Sequence, residues 1–181
     1  VMPGYYNNDE ENKKAFTEDG FFKTGDLGKL TLSGELVLTG RSKEIIVLAS
    51  GENIDPTNIE ATITMLPFVN DAVLVGQDQK GLGALLVPDK EKLKEFVSGK
   101  FSKLVTETED FLHDKRVIET IRQEINRLLH PKKGFKPYEK LRNISFLDQE
   151  FKVGEELTNT LKKKRHVIER KYQELIKKLL K

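Results

Sequence analysis

Two short stretches near the start of the chain carry residue types that can hold a small polar molecule. Thr24-Gly25-Asp26 sets a carboxylate in a tight turn, and Gly40-Arg41-Ser42-Lys43 sets a guanidinium and an ammonium in another. A carboxylate accepts hydrogen bonds from both hydroxyls of a vicinal diol, which makes an acid a common reader of ribose. A guanidinium fork suits ribose oxygens or phosphate. Each tripeptide also has an ordinary explanation: an Asp bonding its own backbone in a turn, and an arginine solvated at a strand end. A third stretch, Gly51-x-x-Ile54-x-Pro56-x-x-Ile59-Glu60, reads as strand, turn and helix. In it Gly51 permits a backbone conformation closed to other residues and Pro56 opens the helix. A fourth, "LTNTLKKKRH", ends in a basic run from Lys162 to Arg165, whose plain reading is a solvated cap on the last helix.

The elements that must position these residues follow from periodicity. Residues 9–16 form a short helix with acids at its N-terminal end. "KLTLSGELVLTGR" is a hairpin turning at Ser33-Gly34, with Leu30, Leu32, Leu36 and Leu38 alternating with polar residues. A buried strand at 45–48 precedes a helix from Pro56 with Ile59, Ile63 and Leu66 on one stripe. "VNDAVLVGQ" and "GALLVP" are strands, and with 45–48 they are expected to make a three-stranded sheet. Helices are expected at 89–98 and 107–130, the second with Ile118, Ile121, Ile125 and Leu128 as its stripe and Pro131 as its stop. "HPKKGFKPYEK" is a loop and "NISFL" a short strand. An amphipathic helix at 167–180 presents Ile168, Tyr172, Leu175, Ile176 and Leu179. The alternation predicts an α+β fold, helices packed on a small mixed sheet, preceded by the hairpin.

Composition narrows the function classes. The chain has 181 residues and no cysteine, which removes disulfides, thiolate zinc sites and cysteine nucleophiles and is compatible with a cytoplasmic setting. Its longest apolar runs, such as "IIVLA", are too short to span a bilayer. The net charge of +2 does not demand nucleic acid or membrane as partner, although 162–181 holds nine Lys or Arg against two Glu. The histidines at 113, 130 and 166 lack metal-ligand spacing, so no metal ligand is assigned. The opening "VMPGYYNN" brings turn residues before any element, as expected of a fragment of a larger protein.

Taken together and in order, Thr24-Gly25-Asp26, Gly40-Arg41-x-Lys43, the Gly51/Ile54/Pro56/Glu60 series and a terminal Thr-x-x-Lys resemble the acyl-adenylate-forming enzymes. "VMPGYYNNDEENKKAFTEDGFFKTGDLG" and the long stretch 89–143 are most similar to long-chain fatty acid–CoA ligases. The resemblance implies that residues 1–40 are the tail of a large N-terminal domain, 41–43 a hinge, and 44–181 a mobile lid. It implies ATP, magnesium and coenzyme A as cofactors and co-substrates, with a fatty acid and the missing large domain as partners. No nucleic acid is expected, and the setting is cytoplasmic or peripheral to a membrane. By position, Asp26 and Arg41 would hold the ribose, Lys43 would be the pivot, and Gly51 would line the passage for the pantetheine arm. Lys162 would be the catalytic lysine, with Lys163 and Lys164 beside it and Asn159 where the family usually has proline. The fragment alone is expected to be inactive. Two other functions fit the same residues: a ligase for an aryl, short-chain or amino acid, and a basic module for membrane or nucleic acid.

Overall fold

The computed structural model describes residues 2–41, 44–100 and 110–181, without the side chains of Thr39, Gly40 and Arg41. The chain divides into two compact units, Val1–Ile45 and Ile46–Lys181. Lys43, the residue expected at the hinge, lies outside the described residues, as do 107–109 at the start of the second expected helix.

In the first unit, helix α1 (Asp9–Ala15) begins where the Asn8 side chain accepts from the Glu11 N–H. Asp9, Glu10 and Glu11 occupy its first turn and Lys13 and Lys14 its last, matching the helix dipole. Phe16 and Phe22 bridge beneath it and stack edge to face at 5.4 Å. Strands β1 (Asp26–Leu30) and β2 (Leu36–Arg41) then form an antiparallel ribbon. Its turn is closed by Thr31 N–H to Glu35 O and by Gly34 at φ +83°. Leu30, Leu32, Leu36 and Leu38 are all exposed, so the alternation of this hairpin has no buried face within the unit.

In the second unit the sheet order is β5-β6-β7, from strands β5 (Val69–Val75), β6 (Leu82–Pro88) and β7 (Leu141–Phe146). β5 and β6 are antiparallel and β6 and β7 parallel, which makes the sheet mixed as expected. The third strand is 141–146, however, and not 45–48. That segment contributes only β3 (Ile46–Val47), which folds back on β4 (Asn53–Ile54), because the turn at Ser50-Gly51 returns the chain at once. The free edge of β6 is filled instead by β7 after a helical crossover, the connection a parallel pair requires.

Period-two alternation sends β5 and β6 residues to two faces. Ala72, Leu74, Leu82, Ala84 and Leu86 face a core built with helices α2 (Pro56–Ile63), α3 (Lys90–Ser98) and α4 (Lys115–Leu128). Val73, Val75, Leu85 and Val87 face a second cluster with helices α5 (Arg165–Lys171) and α6 (Gln173–Leu179). Every residue of β6 is buried. In α4 the buried stripe is Val117, Ile121 and Ile125, continued by Leu129, while Ile118 is only partly buried. The expected helix 167–180 is split at Tyr172 (φ −105°, ψ 18°), yet Tyr172 N–H still bonds Ile168 O and Ile176 N–H bonds Tyr172 O. Ile168, Tyr172, Leu175, Ile176 and Leu179 therefore remain one apolar stripe. Among the described residues no helix is long and apolar enough to cross a membrane.

Candidate functional site

The acidic turn is rigid. Gly25 has φ +76°, a value that favours glycine, and the Asp26 N–H donates to Thr24 Oγ1 at 3.1 Å. Asp26 itself is exposed at the first position of β1. The register of the ribbon sets Asp26 opposite Arg41, with a bulge between Leu27 and Gly28 adjusting the strands beyond. An acid and a base separated by a hairpin in sequence thus occupy one rung of one ladder, the turn setting the register as far as Gly28 and Leu38 and the bulge shifting it by one residue to bring Arg41 opposite Asp26.

Gly51 lies in the turn joining β3 and β4. Its N–H bonds Leu48 O at 2.8 Å, Leu48 N–H bonds Glu52 O, and Ala49 N–H reaches Gln79 O on the β5–β6 connection. Gly51 has φ +91°, and a Cβ placed on it would meet nothing within 4 Å. The glycine is needed for its backbone, and the space beside it is open. An adjoining open groove of about 510 Å³ is lined by Ser50, Lys80, Arg122, Tyr138, Lys140 and Arg142, among others.

The basic run has a far more ordered setting than its composition suggests. Residues 158–162 form a turn in which Thr158 N–H bonds Lys162 O at 2.8 Å and Leu161 N–H bonds Thr158 O. The Lys162 N–H donates to Thr158 Oγ1, which also contacts Thr160 Oγ1. Leu161 takes the left-handed conformation, φ +60°. Beyond the turn, Lys163 Nζ contacts Glu60 Oε2 at 3.1 Å, Asp71 Oδ1 at 2.6 Å and Ala72 O at 2.5 Å. Lys164 Nζ donates to Gly154 O at 2.9 Å. Arg165 donates to Leu74 O at 2.8 Å and to Glu60 Oε1 at 2.7 Å. Lys162 is exposed, and no ion pair of its ammonium is found among the described residues.

Sequence reasoning gave Glu60 no task, yet it is the buried centre of this arrangement. Its Oε1 also accepts the Leu74 N–H at 2.7 Å. The signal was present: Pro56, Ile59, Glu60 and Ile63 are all buried on α2, so an acid stands on the apolar face of a helix. A second buried acid, Glu156, accepts from Lys152 N–H and pairs with Lys171, while its backbone oxygen accepts the Lys164 N–H. Burial pushes the Glu156 carboxyl up, but Lys171 and the Lys152 N–H outweigh it and the net shift is downward. Asp26 and Arg41 belong to the first unit, and Gly51, Glu60 and Lys162 to the second.

Residues 43–181 match the model of the AMP-binding enzyme C-terminal domain. The chain belongs to this family. Among curated AMP-binding relatives, a long-chain-fatty-acid–CoA ligase of Macaca fascicularis is 32% identical over 193 residues, covering 97% of this chain and 26% of that protein. A long-chain-fatty-acid–CoA ligase of Mycobacterium tuberculosis is 34% identical over 173 residues, covering 95% of this chain and 28% of its own length. The chain therefore spans about a quarter of the length of these relatives. Among solved structures, the A domain of a carboxylic acid reductase from Segniliparus rugosus, in complex with AMP and a co-purified carboxylic acid, superposes with a TM-score of 0.79. At 24% identity over 98% of this chain and 26% of that one, it establishes the fold. The family is thus the C-terminal domain of adenylate-forming enzymes, with the small sheets and packed helices described above.

Proposed function

We propose that this chain is the C-terminal part of an ATP-dependent long-chain fatty acid–CoA ligase. In the first half-reaction a fatty carboxylate attacks the α-phosphorus of ATP, giving an acyl-adenylate and pyrophosphate. In the second, the thiol of coenzyme A gives up its proton and attacks the acyl carbonyl, and AMP leaves. Residues 1–40 are the tail of the large domain, 41–43 the hinge and 44–181 the lid. Asp26 and Arg41 hold the two sides of one ribose, Lys43 is the pivot, and Gly51 borders the pantetheine passage. Lys162 brings its compact charge to the crowded phosphate oxygens, where charge developing in the transition state is best neutralised.

The observation that carries this reading is the pairing of Asp26 with Arg41 on one rung of the β1–β2 ribbon. Three further features support it. The two compact units part at Ile45–Ile46, just beyond Lys43. The space beside Gly51 is open, and the groove next to it carries Lys80, Lys140 and Arg142, cations suited to the phosphates of coenzyme A. Lys162 is exposed, while Lys163 and Lys164 are committed to other groups. The choice of a long-chain acid is drawn from the named relatives. Magnesium accompanies such chemistry, but among the described residues no three His, Asp or Glu side chains gather as a metal site, so no ligand to it is assigned in this chain.

The test is Lys162→Ala in the complete protein. Pyrophosphate release from ATP and fatty acid should fall by roughly 10²–10³, the loss typical of removing one group that stabilises transition-state charge. Thioester formation from supplied acyl-adenylate should change less than about twofold, because that half-reaction does not draw on this charge. Equal loss in both half-reactions, or loss in neither, refutes the assignment.

A further inference from the structure

We propose that Glu60, Asp71, Lys163 and Arg165 form a positioning device that holds the base of Lys162 fixed and leaves only its side chain to move. The inference rests on the reading above, in which Lys162 is the reactive lysine. It assigns to Glu60 on α2, Asp71 on β5, Arg165 on α5 and Lys163 just before α5 a task that no motif gives them.

The geometry is that of a clamp. An ammonium has three donors, and Lys163 faces three acceptors at 3.1, 2.6 and 2.5 Å, on Glu60, Asp71 and Ala72 O. Its donors are used up. Arg165, two residues on, is held to Glu60 and to Leu74 O. The two acids and two bases balance in charge, and Glu60 is only 8% exposed, so the cluster is sheltered and closed on itself. On the other side of Lys162, the backbone is closed by Thr158, which bonds both its N–H and its carbonyl oxygen. Lys162 is therefore tied on both flanks while the residue itself is exposed.

Such an arrangement suits a charge that must arrive at a defined spot. The stem of a lysine is flexible, and every bond of freedom in the backbone beneath it would spread the ammonium over a wider volume. Misplacing a reacting group by about 1 Å can cost on the order of 10²-fold in rate. Sites held by packed, hydrogen-bonded supports avoid that loss. Lys163 and Asp71 reach the clamp from positions that are partly exposed, 25% and 27%, and Arg165 still pairs with Glu60 when either is replaced, so neither change leaves a buried charge without a partner.

The experiment compares Lys163→Met, Lys163→Arg and Asp71→Asn with Lys162→Ala in the complete ligase. Both half-reactions are followed, by pyrophosphate release and by thioester formation from supplied acyl-adenylate. Lys163→Met and Asp71→Asn should lower kcat for adenylate formation by about 10- to 100-fold, the range of a displaced catalytic group, with the KM for ATP within about twofold. Thioester formation should stay within about twofold, and Lys163→Arg, which keeps the charge and the donors, should recover most of the loss. A purely structural role would lower both half-reactions together. If Lys162→Ala abolishes adenylate formation while Lys163→Met and Asp71→Asn leave it unchanged, or lower both half-reactions equally, the clamp is refuted and the assignment of Lys162 stands. If Lys162→Ala retains adenylate formation, both fall.

Discussion

Replacing Glu60 by glutamine removes one charge and almost no volume, so its effect on stability measures the buried network and little else. The carboxylate accepts three bonds: Leu74 N–H and Arg165 at Oε1, both at 2.7 Å, and Lys163 at Oε2 at 3.1 Å. A glutamine oxygen can keep the Leu74 N–H, and its bond to Arg165 survives as a bond to a neutral acceptor. The amide nitrogen, however, faces the Lys163 ammonium donor to donor. One charge-assisted bond is lost outright, at about 1.5–3 kcal/mol, and another is weakened by about 1 kcal/mol. The sum, about 3 kcal/mol, agrees with the roughly 3–5 kcal/mol that follows breaking a buried pair by removing one partner. Without tryptophan in the chain, urea unfolding is best followed by far-ultraviolet circular dichroism. With an m-value near 2 kcal/mol/M, the midpoint of the second unit should fall by about 1.5 M. Glu174→Gln provides the control: its pair with Lys177 is exposed on both sides, 72% and 64%, and its loss should leave the midpoint close to that of the unchanged protein. A Glu60→Gln midpoint no lower than that of Glu174→Gln would show that the cluster is solvated and refute the reasoning.

Two other outcomes follow from local geometry. Arg116 and its N–H hold the Asp114 carboxyl down from the ordinary 3.8 to about 2, and Arg122 with Gln123 holds Glu119 down from 4.5 to about 2. Both groups have folded values below their unfolded ones, so their stabilisation is complete above about pH 4.5 and lost as pH falls towards 2. Protection factors along α4, taken relative to the intrinsic exchange rate at each pH, should fall across that window, and the fall should be flatter in an Asp114→Asn, Glu119→Gln double variant; an unchanged slope would count against it. Gly51→Val meets no neighbour within 4 Å but must adopt φ +91°, which should cost about 1–2 kcal/mol of stability by thermal melting. In the complete enzyme it should spare adenylate formation and block thioester formation, and equal loss of both would overturn the role given to Gly51.

The sequence was most informative where structure is local. Helix α1, the β1–β2 hairpin and the Pro56 start of α2 stand where capping residues, alternation and turn chemistry put them, because each is decided within about ten residues. The opposition of Asp26 and Arg41 is only partly of this kind, since the turn fixes the register as far as Gly28 and Leu38 and a bulge then shifts it by one residue. The third strand of the sheet differs from the expectation because 45–48 is a short apolar run whereas 141–146, LRNISF, is half polar, and only a crossover through α3 and α4 decides which fills the edge of β6. The clamp was invisible for the same reason. Lys163 and Arg165 meet Glu60 across 103 and 105 residues, and no period or motif encodes a pairing at that range. The one legible trace was an acid on the inward face of α2.

The same contacts bear on the alternative that the basic C-terminal segment docks a polyanion. Counted by sequence, 162–181 offers nine cations against two acids. Counted in the fold, Lys163 and Arg165 belong to Glu60 and Asp71, Lys171 to Glu155 and Glu156, and Lys177 to Glu174. Lys164 is turned to a backbone carbonyl. Counterion release, which drives polyanion binding, depends on cations free to replace counterions, and paired ones contribute little. Among the described residues four of the nine make no ion pair or carbonyl contact, Arg170, Lys178 and Lys181 along the segment and Lys162 at the turn, and of these Lys162 is the one whose backbone is closed by a hydrogen-bonded turn. A docking surface would gain from several mobile cations spread over one face. A single cation on an anchored backbone, beside neighbours already spent on carboxylates, instead suits delivery of one charge to one place.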